Sequence, residues 1–217
     1  MRKRNWSPLT VLTSLTSSTI IHNAQLMREA GLATVGYFYA DFHDKAKRSA
    51  RGLLSSLLIQ LCTQSDNLCE ILYSLYSAHD RGLQQPDDDA LIGCLKEMLA
   101  LPGQAPSYII VDALDEYPNS NGLPSPREQT LEVMKALIDL KLPYLRFCIT
   151  SRPEMDIRAT LGPSATYSVS LHDEIGQIND LADYVKAIVH SDAIMREWPE
   201  DEKRSVINTL VDNGGGM

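Results

Sequence analysis

Apolar residues recur along this chain in two patterns, which predict two kinds of secondary structure. Spacing of three to four residues predicts helices over 10–30, 45–64, 68–78, 87–100, 127–140, 153–161, 175–189 and 199–211. Short runs of β-branched and aromatic residues predict strands over 33–40, 108–111, 145–149 and 166–170. Because strands and helices alternate, we expect an α/β fold with a parallel sheet and helices on both faces.

The strand over 108–111 ends directly in carboxylates. Asp112 follows its last apolar residue, and Asp115 and Glu116 come on the next turn. Ligands of open α/β sheets bind at the carboxyl ends of the strands, and Mg²⁺ is held by one or two carboxylates together with phosphate oxygens. Asp112 is therefore a candidate magnesium ligand. The alternative interpretation is a strand that ends in a solvated acidic turn.

The strand over 145–149 is followed by Thr150, Ser151 and Arg152, and parallel strands bring both ends to one edge of the sheet. In phosphoryl transfer one acid holds the magnesium, a second acts on the attacking water, and a polar or cationic group contacts the terminal phosphate. Each residue also has a structural interpretation. Arg152 can pair with a nearby acid such as Glu154 or Asp156, and the two hydroxyls can cap the following helix.

Composition and charge narrow the classes of function. The net charge of −8 argues against a phosphate-neutralising surface, so nucleic acid is a poor candidate partner. No apolar stretch is long enough to cross a bilayer, and no signal-peptide core follows the basic start, so we expect no membrane partner and a cytoplasmic protein. The four cysteines match neither a zinc site nor a disulfide framework and are expected in the core. Asp87, Asp88 and Asp89 suit a helix N-terminus.

Four stretches in fixed order resemble the NACHT domain of STAND-type P-loop NTPases, in particular the nephrocystin-like NACHT proteins that are abundant in fungi. Residues 108–116 resemble the Walker B strand, and residues 149–154 resemble the sensor strand. Residues 36–42 and 51–61 resemble the segments that precede Walker B. The resemblance covers nearly the whole chain.

This resemblance implies a signalling switch driven by ATP or GTP with Mg²⁺, flanked by an effector domain and by ankyrin, WD40 or TPR-type repeats, with protein partners or self-association. It implies roles for individual residues. Asp112 would be the metal ligand, Asp115, Glu116 and Arg152 would be catalytic, and Thr10, Thr150 and Ser151 would contact the nucleotide. We expect a NACHT core over 1–191 and the start of a helical segment over 192–217.

The sequence departs from the family pattern where the phosphate loop is expected. No G-x-x-x-x-G-K-[ST] motif occurs, and no glycine precedes Gly31. Of the residues of this motif, we match only the final hydroxyl residue, which would meet magnesium, and we match it to Thr10. We expect a three-layer P-loop-like fold that lacks its first strand and carries a helical C-terminal extension. The chain alone is then not expected to be a competent NTPase. A nucleotide-independent interaction module is the alternative function, and an open sheet edge predicts self-association.

Overall fold

A computed structural model describes residues 8–119, 124–169, 175–192 and 194–214. This part of the chain contains eight α-helices: α1 Pro8–Glu29, α2 Ala50–Cys62, α3 Asp66–Ala78, α4 Asp88–Ala100, α5 Pro126–Ile138, α6 Met155–Leu161, α7 Ile175–Ser191 and α8 Glu200–Gly214. It contains three strands: β1 Thr34–Tyr39, β2 Ser107–Asp112 and β3 Leu145–Ile149. The chain divides into two compact units, one formed by residues 11–165 and one that includes residues 166–217.

The three strands form a parallel sheet in the order β1-β2-β3, so β2 is central. Tyr37 of β1 lies opposite Ile110, and Ile110 lies opposite Cys148 of β3. Each connection between neighbouring strands carries helices, as a parallel sheet requires. The predicted α/β class and the three strands over 33–40, 108–111 and 145–149 are confirmed.

Helices cover both faces of the sheet. On one face Ile21 and Ala24 of α1 pack against Val35 and Ile110. On the other face the larger core includes Ile109 and Val111 of β2 and the buried leucines of α2, with further side chains from α4, α5 and α6. Since side chains of a strand alternate between the faces, Asp112 points to the same side as Ile110, towards α1.

Side chains before three helices fix where those helices begin. The Asp87 side chain accepts a hydrogen bond from the Ala90 amide (2.8 Å) and caps α4, as the acidic run predicted. Ser125 and Glu128 form a capping box at the start of α5. The helix predicted over 45–64 was wrong at its start, because Lys45–Arg48 is a separate 3₁₀ turn and Ser49 caps α2 by accepting from the Gly52 amide.

Two glutamines, Gln60 of α2 and Gln64 just after this helix, close the outer edge of β1. The Gln64 side chain accepts from the Val35 amide (2.9 Å) and donates to the Val35 carbonyl (2.6 Å). Gln60 makes the same pair of hydrogen bonds with Tyr37, at 3.0 and 2.7 Å. The backbone groups on the outer edge of β1 are therefore satisfied by side chains.

The prediction of a fourth strand over 166–170 was wrong for residues 166–169, which form neither a strand nor a helix. Residue 170 lies outside the described part of the chain. Tyr167 and Val169 are 90% and 74% exposed. A β-type run of residues forms a strand when a neighbouring strand and a buried face stabilise it, and these side chains have no such burial. Within the described residues β3 pairs with β2 alone.

In the second compact unit α7 packs against α8, with Val189 and Ile207 buried. The buried Lys203 donates to the Glu200 carboxylate at 2.7 Å. Both helices were predicted, and α8 continues three residues beyond its predicted end at residue 211. No helix in the described ranges combines the length and apolar character needed to cross a membrane.

The four cysteines are free thiols in different environments. Cys94 is buried and Cys62 and Cys148 are half-buried. Cys69 is exposed on α3, so the expectation of a core position was wrong for this residue. The predicted helical stripe of α3 is formed by its neighbours Leu68, Leu72 and Leu75 instead.

Candidate functional site

Asp112 is the last residue of the central strand, and its carboxylate is 6% exposed. The Oδ1 atom accepts hydrogen bonds from the Ser17 hydroxyl of α1 (2.6 Å) and from the Thr150 hydroxyl after β3 (2.5 Å). Hydrogen bonds to a charged acceptor are short and about twice as strong as neutral ones. Three elements that are distant in sequence therefore meet at one carboxylate oxygen.

The backbone turns sharply after Asp112. Ala113 has a left-handed conformation (φ 56°), which is uncommon for a residue other than glycine. Its amide donates to the Thr150 hydroxyl (3.0 Å), and the Leu114 amide donates to the Thr150 carbonyl (2.9 Å). Thr150 thus fixes the turn as well as the carboxylate, and it joins the ends of β2 and β3.

The turn places Asp115 beside Arg152. The Arg152 amide donates to Oδ1 of Asp115 (3.0 Å), and its Nε lies 3.3 Å from Oδ2. The Asp115 side chain is 10% exposed, whereas that of Arg152 is 60% exposed. The guanidinium therefore keeps solvent-facing hydrogen-bond donors at the edge of the sheet where Asp112 also lies.

A scan against family models matches residues 13–152 to Nephrocystin 3, N-terminal. The match covers more than half of the 217 residues and includes Ser17, Asp112, Thr150 and Arg152. The chain belongs to the nephrocystin 3 N-terminal family. The resemblance to nephrocystin-like proteins is confirmed by this match. No curated protein and no solved structure matches the chain.

The structure of this nephrocystin 3 N-terminal family member brings four predicted site residues together: Asp112, Asp115, Thr150 and Arg152. Neither structural alternative for Thr150 and Arg152 matches the observed contacts in full. Thr150 joins two strand ends and does not cap α6, whose N-cap is Glu154. Arg152 does pair with an acid, but that acid is Asp115.

Two of the remaining predicted residues, Glu116 and Ser151, are chain neighbours of this group. Glu116 is half-buried on the 3₁₀ turn Leu114–Glu116, and Ser151 is half-buried between Thr150 and Arg152. Thr10 lies inside α1, and its side chain is outside the described part of the structure. The α1 hydroxyl observed against Asp112 belongs to Ser17, seven residues further along the helix.

The sequence interpretation missed two residues of this nephrocystin 3 N-terminal domain, Ser17 and Arg127. The signal available for Ser17 was the many serines and threonines in the first half of α1. A hydroxyl that a helix buries against a sheet needs a hydrogen-bond partner there. Arg127 has no local signal, because its contacts come from other elements. Its Nη2 donates to the Asp115 carbonyl (2.6 Å), and its Nε donates to the Tyr117 carbonyl (3.0 Å).

Arg127 also contacts two acids near α6. Its Nη1 lies 3.5 Å from Asp156 Oδ2 and 3.6 Å from Glu154 Oε2. The arginine is 8% exposed, whereas the Glu154 and Asp156 side chains are 45% and 31% exposed, so water screens these two ion pairs. Arg127 is thus a positioning residue that holds the acidic turn against α5 and α6.

Two neutral side chains border the acidic site. Burial raises the pKa of the Cys148 thiol, and the nearby carboxylate of Asp112 raises it further. Burial also raises the pKa of the Tyr117 hydroxyl. Both groups therefore stay protonated at neutral pH, which leaves the formal negative charge at this edge to the carboxylates.

The donor set at this edge is chemically suited to magnesium. It combines one carboxylate with the Ser17 and Thr150 hydroxyls, all hard oxygen donors. Both hydroxyls bind Oδ1 of Asp112, so Oδ2 takes no part in these two hydrogen bonds. No group of three or more His, Cys, Asp or Glu forms an all-protein cage in the described residues, and Mg²⁺ bound to a phosphate ester does not need one.

Proposed function

We propose that this chain is part of a nucleotide-gated signalling domain of the NACHT type, acting in the cytoplasm. Asp112 would hold Mg²⁺ bound to ATP or GTP, Asp115 and Glu116 would act on the attacking water, and Arg152 would contact the terminal phosphate. Thr150, Ser151 and Thr10 remain the proposed nucleotide contacts. Membership of the nephrocystin 3 N-terminal family supports this proposal.

The observation that carries the proposal is the convergence on Asp112. Its Oδ1 accepts from Ser17 and Thr150, and the exposed guanidinium of Arg152 lies on the same sheet edge beside Asp115. An acid with hydroxyls at the end of a central parallel strand, next to a cation from the neighbouring strand, is the set of parts that phosphoryl transfer needs. Ser17 joins the proposed set as the α1 hydroxyl.

The proposal includes weak binding by the chain alone. The sequence has no G-x-x-x-x-G-K-[ST] loop to supply backbone amides and a lysine to the phosphates. Hydrogen bonds that involve charged groups contribute roughly 1.5–3 kcal/mol each. Without three of them the affinity falls by roughly three to six powers of ten at about 1.4 kcal/mol per tenfold. At the lower end of this loss a micromolar site becomes a millimolar one, so we expect weak binding by the chain at millimolar nucleotide.

Calorimetric titration of the chain with Mg·ATP and Mg·GTP up to millimolar concentration tests the proposal. Heat of binding that disappears in Asp112→Ala and is retained in Asp139→Ala supports it. Asp139 is the matched control because it is exposed at the end of α5, away from the acidic turn. Without any binding up to millimolar nucleotide, the proposed role of Asp112 in this chain fails.

A second candidate function is a nucleotide-independent interaction module that keeps the fold. One observation favours it: the candidate site residues already satisfy one another. Asp112 has two hydroxyl partners, and both carboxylate oxygens of Asp115 contact Arg152. A ligand would have to displace these contacts. The same titration separates the two functions, since a module of this kind binds neither nucleotide.

A further inference from the structure

An open groove of about 450 Å³ lies between α2, α3 and the start of α4. Its lining is largely apolar and includes Leu58, Ile59, Leu72, Tyr73, Tyr76 and Leu91. We call it the α2–α3 groove. Ile59 and Tyr73 are each 60% exposed, although both are large apolar side chains. Contiguous exposed apolar surface of this kind marks a binding site.

The turn between α3 and α4 forms one wall of this groove and has an unusual backbone. Asp80, Arg81 and Gly82 are all left-handed, with φ of 51°, 53° and 88°. Such a conformation costs roughly 1–2 kcal/mol for each residue that carries a Cβ. Strained backbone clusters at ligand-binding sites, where surrounding structure maintains it.

This turn places side chains at the groove. Leu83, the next residue, is 90% exposed. The ring of Tyr76 packs closely on Gly82, where an added Cβ would lie 2.9 Å from its Cε2 atom. The strained turn therefore supports one aromatic residue of the groove and holds an apolar side chain in water beside it.

The charges around the α2–α3 groove identify the kind of partner. Residues 63–92, which include α3 and the start of α4, carry six acids and one arginine, a net charge of −5. The acids are Asp66, Glu70, Asp80, Asp87, Asp88 and Asp89. Arg51 of α2 pairs with Asp88 (2.8 Å), so the net charge including Arg51 is −4. An apolar groove formed in large part by an acidic segment is complementary to an apolar segment flanked by basic residues.

We propose that the α2–α3 groove binds an amphipathic helix of a partner protein, with apolar residues on one face and lysine or arginine on its flanks. Helices bind grooves through anchors at positions i, i+3, i+4 and i+7. The 13 residues of α3 extend over roughly 20 Å, which matches about four turns of a bound helix. This inference goes beyond the nucleotide-dependent role, because the groove shares no residue with the acidic site.

A display library of helical peptides tests the proposal on the full 217-residue chain. Each peptide has about 16 residues with leucine fixed at the four anchor positions, and the flanking positions vary among lysine, glutamate and serine. We expect selected peptides to be enriched in lysine over glutamate, and their affinity to fall as salt is raised.

Two exposed residues allow matched controls without affecting the core. Tyr73→Ala and Ile59→Asp alter the groove, whereas Tyr184→Ala and Ile188→Asp alter exposed side chains of the same types on α7 (65% and 44% exposed). Aromatic anchors in grooves contribute a large share of binding energy, so each groove variant should raise the Kd of a selected peptide about tenfold or more. The control variants should leave the Kd unchanged.

Three outcomes would overturn the proposal. They are selection without lysine enrichment, an equal loss of affinity in groove and control variants, and failure to enrich any helical peptide. A fourth is dimerisation of the chain, seen by light scattering and abolished by Tyr73→Ala, since the occupant of the groove would then be a second copy. Nucleotide binding plays no part in these measurements, so their result is independent of the Asp112 titration.

Discussion

Replacing Arg127 tests whether one buried side chain holds the acidic turn. Arg127→Met keeps the length and apolar stem of the side chain but removes the guanidinium. The variant loses the hydrogen bonds to the carbonyls of Asp115 (2.6 Å) and Tyr117 (3.0 Å). It retains the backbone hydrogen bond from residue 127 to the Pro118 carbonyl (3.2 Å), because that bond does not involve the side chain.

The expected destabilisation follows from these contacts. Hydrogen bonds from a charged donor contribute roughly 1.5–3 kcal/mol each, so losing two costs roughly 3–6 kcal/mol. The variant also leaves Glu154 and Asp156 without their nearby cation. These acids are partly exposed and are separated from it by 3.5 Å or more, so we add less than about 1 kcal/mol for them. A total of about 4 kcal/mol is a large fraction of the roughly 5–15 kcal/mol that stabilises a typical domain.

Urea unfolding followed by circular dichroism measures this loss. Arg127→Lys should lose about half as much, because an ammonium can keep one carbonyl contact but lacks the planar geometry for both. Arg158→Met is the control, since Arg158 is exposed on α6 and its replacement should change stability by less than about 0.5 kcal/mol. If Arg127→Met loses no more stability than this control, the guanidinium does not hold the turn.

Two further predictions concern residues outside the acidic turn. Gly52→Ala should destabilise the chain by about 2 kcal/mol or more, because its Cβ would lie 1.7 Å from the Ala46 carbonyl oxygen. Gly93→Ala, with open space around the new methyl group, should stabilise α4 by about 1 kcal/mol. In thermal denaturation the first variant should melt at a lower temperature than the unaltered chain and the second at a higher one, and shifts in the same direction would contradict the pair. Iodoacetamide at pH 8 should label the exposed Cys69 quickly and Cys94 hardly at all, because burial and the nearby Glu97 raise the pKa of Cys94 to about 11 and leave about 0.1% thiolate. Similar labelling rates for Cys69 and Cys94 would contradict this assignment. Because the folded state holds the Cys94 proton more tightly than the unfolded state, the free energy of unfolding should decline as the pH rises from 9 towards 11.

Local patterns were sufficient for most of the fold. The strand β2 and its terminal carboxylate could be predicted because an apolar run and the acids after it are contiguous in sequence. The start of α4 could be predicted for the same reason, since Asp87 caps a helix that begins one residue later. The predicted strand over 166–170 failed because β-type side chains are a local property, whereas a strand also needs a neighbour to pair with.

Only the part of the candidate site that lies at the carboxyl ends of β2 and β3 could be predicted from the sequence. Parallel topology alone brings Asp112 and Thr150 to one edge, and their hydrogen bond was within reach of that reasoning. Ser17 lies 95 residues before Asp112, and Arg127 lies 12 residues after Asp115. The rotation of α1 that turns Ser17 towards the site and the direction of the Arg127 side chain are not encoded by a local motif. Long-range contacts of this kind follow from packing, which the sequence specifies only collectively.

Gln60 on α2 and Gln64 just after it make the protection of β1 depend on the order of folding. Gln60 and Gln64 can reach the strand only when α2 is docked, so the strand edge is exposed in any intermediate where α2 has not yet packed. Undocking of this one helix would recreate the same exposure in an otherwise folded molecule. Chain-to-chain pairing at β1 is then governed by the local opening of α2 and does not require global unfolding.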